Sequence, residues 1–407
     1  MPTVGVVEWS LTGAAPSSAK IVYALKNAAS SLLNQGGEAP VDLSKPNYRT
    51  LLLGLKQSSD YTFHIEATRQ GATDAAACLS ADYALPTTGS FAAARPVTVA
   101  VAQPDKREPG FIVTSSGTSV PDSAFIIDAD GEIVWFADGP LNTTRAQMDY
   151  EGANMWMVAL NLDNDGGEMR YVSMDGEEAQ QNVPGLENAH HDFTVMPGGK
   201  VAAMAWSTVG IDPPSNLVIR SADGTVTSPF AIGSNLYLSD TYHSNAIHYL
   251  PFDDSFTIAD RNANVFVKVS ATGAVEWQLG GVCDQAPAGN MCVPQAWQVV
   301  HGHHLLEDGT FLAFNNTYNP VSDVFEFQLN TTPSSFVATV VEDYEGTGAS
   351  TTMGDVQRLP GGNTLVTYST DGTILELDSS WNVVQTFSSR FGYSNWRPTL
   401  YGPPLRL

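Results

Sequence analysis

Basic residues are scarce in this chain of 407 residues: 19 lysines and arginines stand against 43 aspartates and glutamates, for a net charge of −24. A surface of that sign repels nucleic acid and anionic membranes, so neither is an expected partner. Long apolar runs are missing too. None reaches the roughly 18–20 residues of a membrane-spanning helix, so no membrane span is expected. Cysteine is limited to Cys78, Cys283 and Cys292, too few for a four-cysteine structural zinc site. Cys283 and Cys292 enclose only DQAPAGNM, which reads as a local disulfide pinning a loop or as two reduced thiols. The disulfide implies an oxidising compartment, and Cys78 is expected as a lone thiol. The stretch MPTVGVVEWSLTG shows no basic start followed by a long apolar segment, so no leader is read there. A mature form that has shed one stays open, and a secreted or periplasmic location is expected.

What is present points to strands. Hydrophobic residues make up 43% and charged residues 15%, with 35 glycines and 24 prolines to serve many short turns. Helical periodicity is almost absent. Residues 1–92 read as strands separated by polar turns, such as AKIVYAL and DYTFHIEATR. Tyr61 follows a turn and opens an alternating strand, as in the tyrosine corner of immunoglobulin-like and fibronectin III-like sandwiches, so a small β-sandwich is expected there. From about residue 108 a hydrophobic residue, a turn and a strand recur together, at MPGGKVAAMAW, LPFDDSFTIAD, LEDGTFLAF and LPGGNTLVTYS. The markers Met196, Leu250, Leu306 and Leu359 lie 54, 56 and 53 residues apart. Hairpin turns alternate with them at Gly131, Gly176, Gly224, Gly273 and Gly372. A period near 50 with about four strands per unit is the pattern of a β-propeller. The expected fold is therefore all-β: a six-bladed propeller over 93–407, preceded by the sandwich, with seven blades as the alternative count.

Seven of the eight histidines fall between residues 190 and 304. His191 and His301 each stand five residues before their markers, and His243 stands seven before its own. Equivalent positions on successive blades converge at the channel mouth, so these three imidazoles are expected to meet. His190 and His248 read as packed neighbours. Such a set suits a metal, with Asp192 and Asp355 nearby, or nucleophilic and acid–base chemistry. Arg261, 18 residues after His243 in a chain poor in cations, adds an oxyanion receptor or else a surface ion pair. Trp206, Tyr242, Trp297, Tyr318 and Trp396 are candidate aromatic walls or core residues.

The order AHHDFTVMPGG, DTYHSNAI, FTIADRNANVFVKVSATGAVEWQLGG, HGHHLLEDGTFLAFNN and GDVQRLPGGNTLV resembles the bacterial arylsulfate sulfotransferase family over about residues 95–407. The resemblance implies a six-bladed propeller that moves a sulfuryl group from an aryl sulfate donor to a phenolic acceptor. It uses no cofactor and passes through a sulfated histidine. It assigns His301 as nucleophile, with His243, Arg261 and His191 as catalytic partners. Asn245 of the His–x–Asn motif, Tyr242, His303, Tyr318 and Asp355 are expected at the substrate, with no metal. The Cys283–Cys292 loop also resembles a family feature, and a homodimer stays open. Departures occur at Val300-His301-Gly302, where the family often shows Gln-His-Asp, and at Gly354, where it commonly has histidine. The lost imidazole at Gly354 is expected to enlarge the pocket or change its chemistry. Strand alternation would put His301 and His303 on one face and His304 on the other, so either neighbour could be the reactive imidazole. A polysaccharide lyase using Tyr242, His243 and Arg261, a metal-dependent hydrolase and a noncatalytic ligand-binding propeller are the alternatives.

Overall fold

The structure, a computed structural model, describes residues 1–13, 15–69, 78–118, 122–160, 167–207, 214–233, 236, 238, 242–285, 291–295, 297–316, 321–332 and 335–404. It is all-β. The described residues hold strands and three short 3-10 turns, with no α-helix, and no helix among them is long and apolar enough to cross a membrane.

Among the described residues, six sheets follow one another after the N-terminal region. Five of them open with four antiparallel strands in sequence order, the pattern of the repeat. The first strands are Thr143–Met148, Ala189–Met196, Ser244–Leu250, Val300–Leu305 and Asp355–Arg358. The remaining sheet takes its first strand, Ser394–Arg397, from the far end of the chain and continues through Phe111–Ser115, Ser123–Asp128 and Ile133–Asp138. Each of these six first strands contacts the next in cyclic order, and Ser394–Arg397 contacts both Asp355–Arg358 and Thr143–Met148, which closes a ring. A second closure lies on the outside, where Thr98–Val101 pairs with Val383–Ser388. The hairpin glycines Gly131, Gly176, Gly224, Gly273 and Gly372 all have positive φ, from 68° to 88°, a conformation that β-carbon-bearing residues rarely adopt.

Residues 1–92 form a two-stranded ribbon of Gly5–Val7 with Thr50–Leu52 and a larger sheet around Pro16–Leu25 and Tyr61–Arg69. Tyr61 is buried, and its hydroxyl accepts the Lys56 N–H at 2.9 Å, a back-bond of the kind the tyrosine corner makes. Lys56 reaches out of this region to Asp130 at 3.1 Å and to Asp128, both on a ring hairpin. Burial dominates at Asp128 and holds its carboxyl up at about 6 despite the lysine.

Cys283 and Cys292 are joined by a disulfide with a Cα–Cα distance of 5.5 Å, and Cys78 is free. Cys292–Val293 adds a parallel fifth strand beside Val275–Gly280, so the bridge anchors an edge as well as a loop.

Candidate active site

Register shifts at the starts of the inner strands decide where their side chains point. Pairing slips between Ala189 and Phe193, between Ser244 and Ala246, and between Val300 and His303. His191 itself has φ +57°, and Val299, two residues before His301, has φ +60°. A left-handed residue in a bulge re-aims the side chains around it, at a cost of the order of 1 kcal/mol that the rest of the sheet must offset.

The result is a chain of imidazoles across two sheets. His243 Nε2 lies 2.9 Å from His191 Nε2. His191 Nδ1 lies 2.7 Å from His190 Nδ1, and His190 Nε2 lies 2.9 Å from Ser215 Oγ. In each contact one atom donates and the other accepts. Neutral rings therefore have two consistent settings, with every proton shifted one way or the other along the chain. His190, expected only as packing, is thus the inner link of this chain, stacked on Trp206 at 4.4 Å between centroids. Burial pushes both His190 and His191 well below the ordinary imidazole range, with the field of His243 adding to it.

His301 stands on the next sheet and is buried. Its Nδ1 lies 2.5 Å from Asn316 Oδ1. Burial lowers its pKa to about 3, the Arg261 and His243 charges push the same way, and hydrogen bonding to Asn316 and Val299 opposes them. Those electrostatic couplings bring His191, His243, Arg261 and His301 into one neighbourhood. Arg261 follows the strand Ser255–Asp260, and its N–H donates to the His243 carbonyl at 3.0 Å. Its Nε is buried with no hydrogen-bond partner among the described residues. A guanidinium donor left open beside His191 and His301, which burial keeps neutral, is a receptor for an anionic oxygen. Asn245 links the sheets: its Nδ2 donates to the Val300 carbonyl at 2.8 Å, while its Oδ1 is buried without a partner among the described residues. No group of three or more His, Cys, Asp or Glu among the described residues is arranged to hold a metal ion.

Several expected site residues sit elsewhere. The register shift after Val300 breaks the alternation, so His303 does not share a face with His301. Its Nε2 meets Thr257 Oγ1 at 2.9 Å and its Nδ1 meets the His301 carbonyl at 3.4 Å, which leaves neither nitrogen for a ligand. His304 accepts the Arg358 N–H at 3.1 Å. With His248 it lines a separate cavity of about 290 Å³ at the far ends of the inner strands. Asp355 pairs with Arg145, 2.7 Å distant. Tyr242 packs against the apolar cluster around Met204 and Phe230. Trp297 stands edge-on to Phe266 in the core, and Trp396 is buried with Ile112 and Leu359. Tyr318 lies outside the described residues. The space opened by Gly354 is already filled, because a β-carbon there would fall 2.2 Å from the Phe314 ring; the pocket is not enlarged at that point. Gly302 is equally constrained, with Asp355 Oδ1 2.2 Å from any β-carbon it might carry, so an aspartate after His301 has no room here.

Beneath the histidines lies a hub that no motif signalled. Arg145 is fully buried; its Nε donates to Asp192 Oδ1 at 2.6 Å and its Nη1 to Asp355 Oδ2 at 2.7 Å and to the Ser394 carbonyl at 3.2 Å. Asp192 in turn accepts the Ile247 N–H at 2.9 Å. The guanidinium lies 4.5 Å over the Tyr393 ring, whose hydroxyl donates to the Asn245 carbonyl at 2.8 Å. Five of the six inner strands are tied together here. Burial raises both carboxyls, Asp355 to about 6, with the Asp192 charge adding to the rise at Asp355 and the guanidinium opposing it at both.

Residues 206–390 match the family described as Arylsulfotransferase (ASST), and the resemblance read from the motifs holds over that stretch. The stretch contains His243, Arg261, His301 and Asn316 and begins just after the His190–His191 pair. No curated protein matches the sequence. Solved structures of similar shape include a protein of unknown function from Bacteroides caccae, 13% identical, covering 70% of this chain and 98% of that one, with a TM-score of 0.47. A catalytically inactive virginiamycin B lyase from Staphylococcus aureus with quinupristin is 11% identical, with 71% and 88% covered and a TM-score of 0.42. A protein of unknown function from Bacteroides thetaiotaomicron is 10% identical, with 94% and 93% covered and a TM-score of 0.42.

Proposed function

From the arylsulfotransferase-family region at residues 206–390, we propose that this chain moves a sulfuryl group from a phenolic sulfate ester to a phenolic acceptor through a sulfohistidine at His301. The observation that carries the reading is a buried, neutral His301 beside an Arg261 whose Nε has no partner among the described residues. A neutral imidazole nitrogen attacks sulfur, and the bond from sulfur to the aryl oxygen breaks as the bond from nitrogen to sulfur forms. Arg261 holds the sulfuryl oxygens, where negative charge spreads in the transition state. The His191–His243 pair, cationic at that point, gives its extra proton to the departing phenolate and is left neutral. In the second half it takes one from the acceptor phenol, whose oxygen attacks the sulfur and frees His301. The architecture proposed with it is a six-bladed propeller over 93–407 behind a small sandwich over 1–92. The cyclic order of the inner strands, the Thr98–Val101 strand completing the last sheet and the Tyr61 back-bond support that division. The disulfide fits an oxidising, extracytoplasmic setting, and secretion is part of the proposal.

Transfer from 4-nitrophenyl sulfate to phenol, followed by the release of 4-nitrophenol, tests the activity. Under the same assay Arg261→Gln is expected to lose about 10²–10³-fold in kcat, since a preorganised donor to developing charge is worth that much elsewhere. Activity equal to that of the unaltered protein would remove Arg261 from the reaction.

The depressed pKa of His301 has a consequence for pH. An ordinary imidazole is about 97% protonated at pH 5, whereas a group with pKa about 3 stays neutral until pH falls towards that value. With 4-nitrophenyl sulfate, whose leaving group needs little help from an acid, the burst of 4-nitrophenol reports the nucleophile. The burst rate at pH 5 is expected to stay within about twofold to threefold of its value at pH 7. A fall of tenfold or more, with circular dichroism unchanged, would contradict a neutral buried nucleophile.

A further inference from the structure

We infer that Asn316 is the positioning residue of His301, holding its ring as the Nδ1–H tautomer so that Nε2 is the atom that receives the sulfuryl group; the second half of this statement rests on the proposed sulfohistidine reaction. Oxygen and nitrogen of an amide are usually told apart only by their partners, and here the partners decide. Asn316 Nδ2 lies 2.6 Å from the Ser350 carbonyl and 2.5 Å from the Met353 carbonyl, both of which can only accept. The reverse orientation would set Oδ1 against two carbonyl oxygens. The amide oxygen therefore faces His301 Nδ1 at 2.5 Å, and that nitrogen must carry the proton. The Val299 carbonyl, which accepts the Asn316 N–H at 3.1 Å, also pulls on the ring as an acceptor. In a neutral ring with Nδ1 protonated, the lone pair is on Nε2.

Attack through Nε2 produces a ring substituted on one nitrogen and protonated on the other, which carries a positive charge. Asn316 Oδ1 receives the Nδ1–H of that cation, so it stabilises the intermediate as well as the attacking tautomer. When the acceptor oxygen takes the sulfuryl group, the electron pair of the bond from nitrogen to sulfur returns to Nε2 and the neutral Nδ1–H ring is restored. Asn316 touches neither substrate nor sulfur in this scheme. The Asn316 anchors at Ser350 and Met353 lead directly to Asp355 on the next inner strand, so the tautomer is set by the adjacent sheet.

The test reads the tautomer without any substrate. Nitrogen NMR of protein labelled at histidine, with the His301 signals identified by their loss in His301→Ala, is expected to show a protonated Nδ1 and a pyridine-like Nε2. Asn316→Leu removes the acceptor and is expected to shift the ring towards Nε2–H and to slow the burst by about 10²–10⁴-fold with KM little changed, the scale of a wrong tautomer in a catalytic histidine. Asn316→Asp keeps an oxygen acceptor but loses the donors to Ser350 and Met353. Both variants are expected to unfold at lower denaturant, yet only the aspartate is expected to restore the Nδ1–H tautomer and most of the burst rate. An Nε2–H ring in the unaltered protein overturns the inference, as does a leucine variant with unchanged tautomer. If the leucine variant does not fold, the unaltered and aspartate proteins still decide it. If the tautomer is as expected and no sulfuryl transfer occurs, the positioning holds and the proposed reaction falls.

Discussion

His301→Ala is expected to transfer no measurable sulfuryl group from 4-nitrophenyl sulfate to phenol, a loss of at least ~10³-fold in kcat. Removing the nucleophile of a covalent mechanism removes both half-reactions, and such losses are of the order of 10⁶ where they have been set against an intact site. The variant is expected to fold. The side-chain anchor of the ring is the hydrogen bond to Asn316, and the strand Val300–Leu305 is held by its own ladder to Thr310–Asn315. Truncation leaves the Asn316 Oδ1 buried without its partner, at a cost of about 1–3 kcal/mol. Two measurements are needed together. The burst of 4-nitrophenol, present in the unaltered protein, is expected to vanish. The acid-labile mass increment of one sulfuryl group, expected on the peptide containing His301, is expected to vanish as well. A variant that keeps its burst would move the nucleophile to another residue. His191 and His243, the other imidazoles of the neighbourhood, would then be substituted in turn under the same assay.

How much of this was legible in the sequence follows from the range of each interaction. The sheets were legible because turns are local: a glycine that must adopt positive φ marks each hairpin, and hydrophobic residues recur at one period. The phase of that period also selected His191, His243 and His301. Phase failed inside the strands, where it assumes strict alternation. The slip between Val300 and His303 removes His303 from the face of His301, and no sequence signal announced it. His190 was set aside because the phase of the repeat picks out His191, but a left-handed His191 lets both rings join one hydrogen-bonded chain. Asn316 had a faint signal, an Asn doublet ending the strand that follows the nucleophile. Its neighbour Asn315 serves a different purpose, accepting the Gln298 N–H at 2.8 Å.

Arg145 was invisible for a different reason. Its carboxylate partners are 47 and 210 residues away, and the stretch NTTRAQMDY around it carries no motif. In a chain with so few cations, the one that joins several inner strands is the strongest clue, but only the folded chain reveals which one that is.

Arg145→Met is accordingly expected to destabilise the protein by about 3–5 kcal/mol at pH 8, with loss of activity following from the fold. A buried ion pair is a weak source of stability relative to an apolar core, but removal of one member strands the other's charge. Here two carboxylates would be stranded, both fully or nearly fully buried, along with the Ser394 carbonyl. Their proton affinity gives the effect a sign in pH. Burial already raises both acids, Asp355 to about 6, with the guanidinium pulling the other way. Without it, both pKa values rise further. A carboxyl whose folded pKa exceeds its unfolded value of about 3.9 contributes stability that is present at low pH and lost as pH rises through the folded pKa. The deficit of Arg145→Met relative to the unaltered protein is therefore expected to shrink between pH 8 and pH 5. Urea unfolding of both proteins at the two values measures it, and taking the difference removes the titrations they share. Adding Asp192→Asn and Asp355→Asn to Arg145→Met is expected to recover part of the loss at pH 8 and to flatten its pH dependence. The recovery would be incomplete because Asp192 also accepts the Ile247 N–H and Asp355 the Val356 N–H. An unchanged urea midpoint at pH 8, or a deficit that grows on acidification, would mean that the two acids draw their stabilisation from the surrounding N–H donors and that the ring is not held together by this cation.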